Sequence, residues 1–361
     1  MVLWLVLTGG CRIKMSINFI LQMDIDFVVT WLDSSDPKWR EEFRKYKGIT
    51  TTADLSKARY RDWDYFKYWF RAVEKYAPWV HKVFVITNGK FPDWINPDCD
   101  KLVLVKHSDY IPEQFLPTFN SRTIEFYMNR IKGLSEYFVY FNDDFYLNNP
   151  VCPDYYFKNG LPCDCNSETV YNVPKYNPVD KFNIKIGLLT NIGVVNGHFD
   201  RRQTIRQSWK KWHGFHLGLV DRMMRLVISA YPHGLFVGFR NRHFEQPYLK
   251  SVFDDAWDKA SDVLYKSSTR FREDATLTPY FFRYWQFASN KFYPVKLNNY
   301  RKFVMMPSDL QKILDALHNP RIKSLCLNDT SYCTDEDYSI VKPVLHEAFE
   351  KKYPEKCSFE L

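Results

Sequence analysis

The sequence predicts an α/β fold: a Rossmann-like, mostly parallel sheet with a helical insertion and a helical C-terminal part. Three observations carry this. Short β-branched and aromatic runs alternate with helix-spaced apolar segments over residues 24–150. Polar clusters follow the first and fourth of these runs, at the carboxyl ends where α/β sheets collect their ligands. Beyond residue 150 the alternation gives way to turns and helical periodicity.

The first strand is Asp26 to Leu32, stopped by the turn-forming Asp33-Ser34-Ser35-Asp36-Pro37. Residues 62–77 place Tyr65, Phe66, Trp69, Phe70 and Val73 at helical spacing, with Asp62 as N-cap and Pro78 closing the helix. Val83 to Thr87 is the second strand, halted by Asn88-Gly89, and Leu102 to Val105 the third. Ser121 to Leu134 reads as a helix ending near Gly133, and Tyr137 to Phe141 as the fourth strand. A turn-rich stretch from Pro162 to Asp180 precedes helices expected around 200–212, 216–230, 247–266 and 278–290. The organisation expected is one domain over 24–361: an α/β core at 24–150, a helical insertion at 151–240, and a part at 241–361 that returns to complete the site.

Composition narrows the class. A chain of 361 residues, 45% hydrophobic and 25% charged, is neither disordered nor collagen-like, and no repeat marks a solenoid. The net charge of +8 suits anionic ligands, but it is spread through mixed-sign sequence, so no nucleic-acid partner is expected. Aromatic residues at 18% fill cores, line saccharide surfaces or sit at membrane interfaces. Eight cysteines without a CxxC pair or zinc-finger histidines argue against a structural zinc site and read as mostly reduced, cytosolic thiols. The apolar run Met1 to Leu7 is too short to span a bilayer. Met15 and Met23 offer later starts, so residues 1–23 read as an extension the fold does not use. The expectation is a soluble protein that meets a membrane only peripherally, through a lipid-linked substrate.

The sharpest chemical signal is Asn142-Asp143-Asp144 at the end of the fourth strand. Adjacent carboxylates repel, and a divalent cation relieves that repulsion; oxygen ligands suit Mg²⁺ or Mn²⁺. Asp143 and Asp144 are therefore the metal candidates, the alternative being a turn that caps the next segment. Trp31 with Asp33, Ser34 and Asp36 either grips a nucleotide or sugar or forms a turn and helix cap. Asn120 and Ser121 either present backbone N–H groups to phosphate or simply cap a helix. His243, in a polar segment before Pro247, is a general-base candidate or a structural histidine, with Pro247 placed to start the next helix. Arg270 and Arg272 can clamp phosphoryl oxygens or form a solvated face. Leu325-Cys-Leu-Asn328-Asp329 repeats the pattern of a strand followed by Asn-Asp.

Taken together and in order, these motifs resemble the Stealth family of sugar-phosphate transferases. The blocks are Ile25 to Pro37; Arg61 through Trp79 to Ser121 and Phe141 to Asp144; His243 to Trp257 with Arg270-Phe271-Arg272; and Cys326 to Asp329 with Lys356 to Glu360. The resemblance implies a glycosyltransferase-A-like sheet and transfer of a hexose 1-phosphate, such as N-acetylhexosamine 1-phosphate, from a nucleotide-diphosphate sugar to a sugar hydroxyl. It implies His243, Asp143 and Arg272 as catalytic residues. Trp31, Asp33, Ser34, Asp36, Asn120, Ser121, Asn142 and Arg270 then border the substrates. Where the family has Ser-x-x-Asp after the arginine, this chain reads Glu273-Asp274-Ala275-Thr276, so an acid falls at Asp274, and Lys356-Cys357-Ser358 replaces Lys-Ser-Ser. The implied setting is bacterial, in the cytoplasm at the inner face of the membrane, with a saccharide or lipid-linked saccharide acceptor feeding capsule or exopolysaccharide. Two other readings fit the residues: a conventional metal-dependent glycosyltransferase, and a non-catalytic carbohydrate-binding protein.

Overall fold

The computed structural model describes residues 3–6, 12–15, 23–48, 61–171, 184–230, 233–272, 276–330 and 333–361. Its strands in chain order are β1 Leu3–Val6, β2 Arg12–Met15, β3 Ile25–Thr30, β4 Val83–Thr87, β5 Leu102–Lys106, β6 Tyr137–Phe141, β7 Phe145–Leu147, β8 Phe157–Lys158, β9 Leu161–Asp164, β10 Gln246–Leu249, β11 Tyr293–Pro294, β12 Tyr300–Val304 and β13 Ser324–Asn328. The central sheet has the order β10-β6-β3-β4-β5. Its inner strands are all parallel, Phe27 facing Val139 on one side and Val83 on the other. The α/β class and the mostly parallel sheet follow as expected, and β4 and β6 have the bounds read from the sequence.

These strands are almost wholly apolar because helices cover them. Phe27, Val28, Val29, Phe84, Val85 and Phe138 are all buried. The helix Phe66–Tyr76 packs Trp69 and Phe70 against this layer, and Trp69 meets Phe141 edge to face at 5.4 Å. One polar group is buried at the start of β3: Asp26 accepts hydrogen bonds from His81 Nδ1, Lys82 N and Ser135 N at 2.8, 3.1 and 2.7 Å, tying three segments together.

Some boundaries differ from the sequence reading, each for a local reason. The helix expected from Asp62 starts at Phe66, because the Asp62 carboxylate accepts Asp64 N and Asp64 takes φ 58°, a left-handed residue that breaks the turn. The helix expected to run from Ser121 to Leu134 is a short turn, Ser121–Phe126, followed by a 3₁₀ turn at Met128–Arg130. Pro247 does not start a helix. It lies in β10, which among the described residues is an edge strand paired with β6 alone, where a missing N–H costs nothing; the helix follows at Lys250–Ser267.

The insertion holds β8 and β9 and the helices Ile184–His198, Arg201–Gln207, Trp209–Trp212 and Leu219–Ser229; residues 172–180 of the turn-rich stretch lie outside the described residues. The C-terminal part contributes more than helices. Strands β12 and β13 join β7 in a three-stranded sheet, with Cys326 opposite Phe145, so this sheet abuts the tip of β6. The segment 1–23 contributes a separate two-stranded sheet, β1 with β2. Cys99, Cys163, Cys165, Cys326, Cys333 and Cys357 are free thiols, and Cys152 is disulfide-bonded.

Candidate active site

A cleft of about 550 Å³ opens beyond the carboxyl ends of β3 and β6, and its walls come from all three parts of the chain. Trp31 and Ser34 follow β3, Ser121 and Glu125 stand on the short helix, and Asn142 to Asp144 end β6. His243, Arg272 and the β13 end at Asn328 and Asp329 close it.

The floor is set by β6. Burial of Phe141 drives the strand into the core, and the chain then has to emerge in polar residues. Asn142 Oδ1 accepts from the Tyr140 hydroxyl at 2.7 Å. Asp143 stands open to the cleft. Asp144 is stitched to the C-terminal sheet, its carbonyl accepting Leu327 N at 2.9 Å. Its Oδ2 lies 3.2 Å from His243 Nε2 and accepts from Cys326 Sγ at 3.4 Å. Its Oδ1 is buried and has no hydrogen-bond partner among the described residues. The protein around Asp143, then the charge of Asp144 and that of Asp62, hold the Asp143 carboxyl above the ordinary carboxylate range.

His243 is held firmly although it sits on a loop. The Tyr300 hydroxyl donates to its carbonyl, and the Phe145 ring meets its imidazole edge to face at 4.8 Å. Two residues upstream, Asn241 bonds Tyr171 at 3.1 Å; Arg242 donates to Leu297 O at 2.6 Å. Three residues downstream, Gln246 donates to the buried Asp164 at 2.9 Å.

Arg272 reaches the same cleft from another direction and donates to the Ser121 hydroxyl. Behind Ser121 lies Glu125, which the sequence reading did not single out. Desolvation raises its carboxyl to about 8 against the opposing pull of Arg272, Tyr140 and Arg122. The local sequence Thr-Ile-Glu-Phe carries no motif; only its spacing on one helix face with Ser121, four residues earlier, pointed to it.

The metal candidates can be weighed on this geometry. The residues fit a hard divalent cation at the Asp143–Asp144 edge: two carboxylates, one of them with a buried, unpartnered oxygen, facing a cleft. Ligand atoms of Asp144, His243 and Cys326 also lie within 4.8 Å of one another. That set, with a thiol, suits a softer ion. Burial, and then the neighbouring Asp144, push the Cys326 thiol far up, so it stays a protonated donor to Asp144.

The other sequence candidates have structural partners. Trp31 stacks on Phe66, ring centres 5.8 Å apart, on the cleft wall. Asp33 does not line the cleft: Ser35 N donates to it at 2.8 Å and Lys90 pairs with it, and these contacts outweigh burial to keep its carboxyl low. Asp36 caps the helix Pro37–Lys47, accepting Lys38 N at 3.1 Å. Asn120 is fully buried; it accepts Arg122 N and donates to Thr269 O at 3.2 Å. Arg270 donates to the carbonyls of Leu116 and Pro117 at 2.8 and 3.1 Å, away from the cleft. Asp274 lies outside the described residues. Glu360 of the terminal block pairs with Arg71 at 2.7 and 2.8 Å, fastening the chain end to the helix Phe66–Tyr76. At the far rim, Asp329 accepts Trp63 Nε1 at 3.0 Å and pairs with Arg61 at 3.7 Å.

Comparison with known proteins gives the cleft its relatives. A family model described as "Stealth protein CR2, conserved region 2" matches residues 59–163, the stretch that delivers Ser121 and Asn142 to Asp144. The chain is 37% identical over 340 residues to a capsular polysaccharide phosphotransferase, WcwK, of Streptococcus pneumoniae, covering 93% of this chain and 98% of that one. It is 35% identical over 345 residues to an exopolysaccharide phosphotransferase, cps2G, of Lactiplantibacillus plantarum, covering 93% and 96%. A solved galactosyltransferase, LgtC, aligns over 90% of this chain and 95% of its own at 8% identity with a TM-score of 0.37, too distant to carry an argument. The resemblance drawn from the ordered motifs is borne out over nearly the whole chain, which belongs to the Stealth family of polysaccharide phosphotransferases.

Proposed function

We propose that the protein transfers a hexose 1-phosphate, such as N-acetylhexosamine 1-phosphate, from a nucleotide-diphosphate sugar to a hydroxyl of a saccharide or lipid-linked saccharide, forming the phosphodiester of a capsular polysaccharide or exopolysaccharide. One observation carries the reading. An imidazole and a carboxylate, His243 and Asp144, meet at 3.2 Å in the cleft that Arg272 also enters, which is the set needed to deprotonate a hydroxyl and stabilise a phosphoryl group.

In this reaction the acceptor oxygen attacks the phosphorus that bears the hexose. His243 takes the acceptor proton, and Asp144 beside it stabilises the imidazolium. Arg272, oriented by Ser121, meets the charge gathering on the transferred phosphoryl oxygens. The phosphorus–oxygen bond to the nucleotide breaks and nucleoside monophosphate leaves, while the sugar keeps its anomeric oxygen and configuration. Glu125, protonated near neutrality, offers a hydrogen bond to a substrate oxygen without adding negative charge beside the phosphates. Asp143 and Asp144 would hold Mg²⁺ or Mn²⁺, which when bound neutralises the diphosphate. Trp31 offers a flat face to the base or sugar.

Nucleotide sugars are cytoplasmic metabolites, which supports work in the cytoplasm. No described helix is long and apolar enough to cross a membrane. The test is to incubate the purified protein with a panel of nucleotide sugars, acceptor and Mg²⁺, then identify the released nucleotide. Nucleoside monophosphate supports the reading, nucleoside diphosphate favours a conventional glycosyltransferase, and no release favours a carbohydrate-binding role.

A further inference from the structure

The helix Leu219–Ser229 is built inside out. Its exposed apolar residues, Leu219, Val220, Met223, Leu226 and Val227, are 77, 71, 56, 62 and 67% exposed. Their spacing of i, i+1, i+4, i+7 and i+8 makes one continuous stripe, the pattern that a helix of a globular domain turns inward. Here the inward face carries only one buried apolar residue, Ile228, and is otherwise polar. Arg225 is buried and donates to Glu168 Oε2 at 2.8 Å and to Asn166 O. Asp221 accepts from Ser167 Oγ at 2.8 Å and pairs with Arg240 at 3.4 Å. Glu168 is also gripped by Arg201 at 2.6 and 2.9 Å. Rolling the stripe inward would strand this buried ion network, so the helix is pinned with its apolar face to solvent.

The surroundings identify an occupant. Phe215 and Trp209, 93 and 60% exposed, extend the apolar surface along the chain. Residues 201–230 hold seven Lys and Arg against a single acidic residue, Asp221. Arg201 and Arg225 are spent on Glu168, whereas Arg206 and Lys210 stand exposed beside Trp209. An apolar stripe with aromatic ends and flanking basic side chains fits an anionic lipid surface. The stripe enters the headgroup boundary, and the cations meet lipid phosphates. A second copy of this chain would bring the same cations against themselves.

We infer that the helix Leu219–Ser229, with Phe215, Trp209, Arg206 and Lys210, is a docking surface for an anionic membrane. None of these residues belongs to the proposed site, so the docking surface and the reaction can fail separately. The test is co-sedimentation of the full chain with phosphatidylcholine vesicles, with and without phosphatidylglycerol, at low and high salt. Wild type should bind the anionic vesicles, and high salt should weaken binding. The double variants Leu219→Glu/Leu226→Glu and Arg206→Glu/Lys210→Glu should each lose at least about tenfold in partitioning. Both should keep their circular dichroism and, with a soluble acceptor, their turnover. Binding that ignores lipid charge, or that survives both variants, overturns the inference. So does a protein that binds no vesicle, or one that light scattering shows to be a dimer dissolved by Leu219→Glu/Leu226→Glu.

Discussion

Replacing Arg283 by Met should unfold the site without touching it. The Arg283 guanidinium and the Asp164 carboxylate are 2 and 1% exposed and meet through paired bonds of 2.7 and 2.9 Å. The same guanidinium donates to Arg240 O at 3.1 Å and to Cys165 O at 3.2 Å. Methionine fills much of the volume but leaves the Asp164 carboxylate, among the described residues, with Gln246 and the Cys165 amide as donors. Stranding one member of a buried ion pair costs about 3–5 kcal/mol, several times what an exposed pair contributes. Equilibrium urea unfolding should show a loss of that size. The double variant Asp164→Asn/Arg283→Met, which removes the charge as well, should recover about 1–3 kcal/mol of it. Since Asn241 and Gln246 flank His243 and both lean on this pair, Arg283→Met should also lower kcat, by about 10²-fold for a shift near 1 Å in the imidazole. A stability loss below about 1 kcal/mol would refute the reasoning, because the pair would then be behaving as a solvated one.

Other outcomes follow from the cleft. His243→Ala and Arg272→Ala should each reduce transfer by at least about 10²-fold with thermal unfolding unchanged, and retained turnover would remove them from the chemistry. Glu125→Gln should stabilise the protein and slow it. The folded carboxyl titrates near 8, above its ordinary value, so wild type loses stability as pH rises from about 5 to about 8, and the variant does not. Parallel unfolding curves for the two proteins across that range would contradict the assignment. Chelation should abolish turnover and Mg²⁺ or Mn²⁺ restore it. Cys326→Ser should keep that metal preference, whereas Asp144→Asn should raise the metal concentration required. A thiol-dependent preference for zinc would instead favour the Asp144, His243 and Cys326 set.

What could be seen in the sequence was whatever local order decides. Strands β4 and β6 are short apolar runs bounded by turn residues, and periodicity alone finds them. Asn142-Asp143-Asp144 was legible because a polar triplet directly after a buried strand has few uses. Groups defined by contact across the chain were not legible. Glu125 becomes unusual only once the folded chain desolvates it, and Asn120 is claimed by Thr269, 149 residues away. Pro247 read locally as a helix start, and only the pairing with β6 puts it in an edge strand instead. The helix Leu219–Ser229 was visible as a helix, but its inverted orientation depends on Glu168, 57 residues earlier.

The most direct test follows the bond that breaks. A nucleotide-sugar donor labelled with ¹⁸O at its anomeric oxygen should deliver that label into a phosphodiester product, with unlabelled nucleoside monophosphate released in equal amount, as read by mass spectrometry and ³¹P spectroscopy. Label leaving with a nucleoside diphosphate, and a product without phosphorus, would mean that attack falls on the sugar carbon and that His243, Asp144 and Arg272 serve a different reaction.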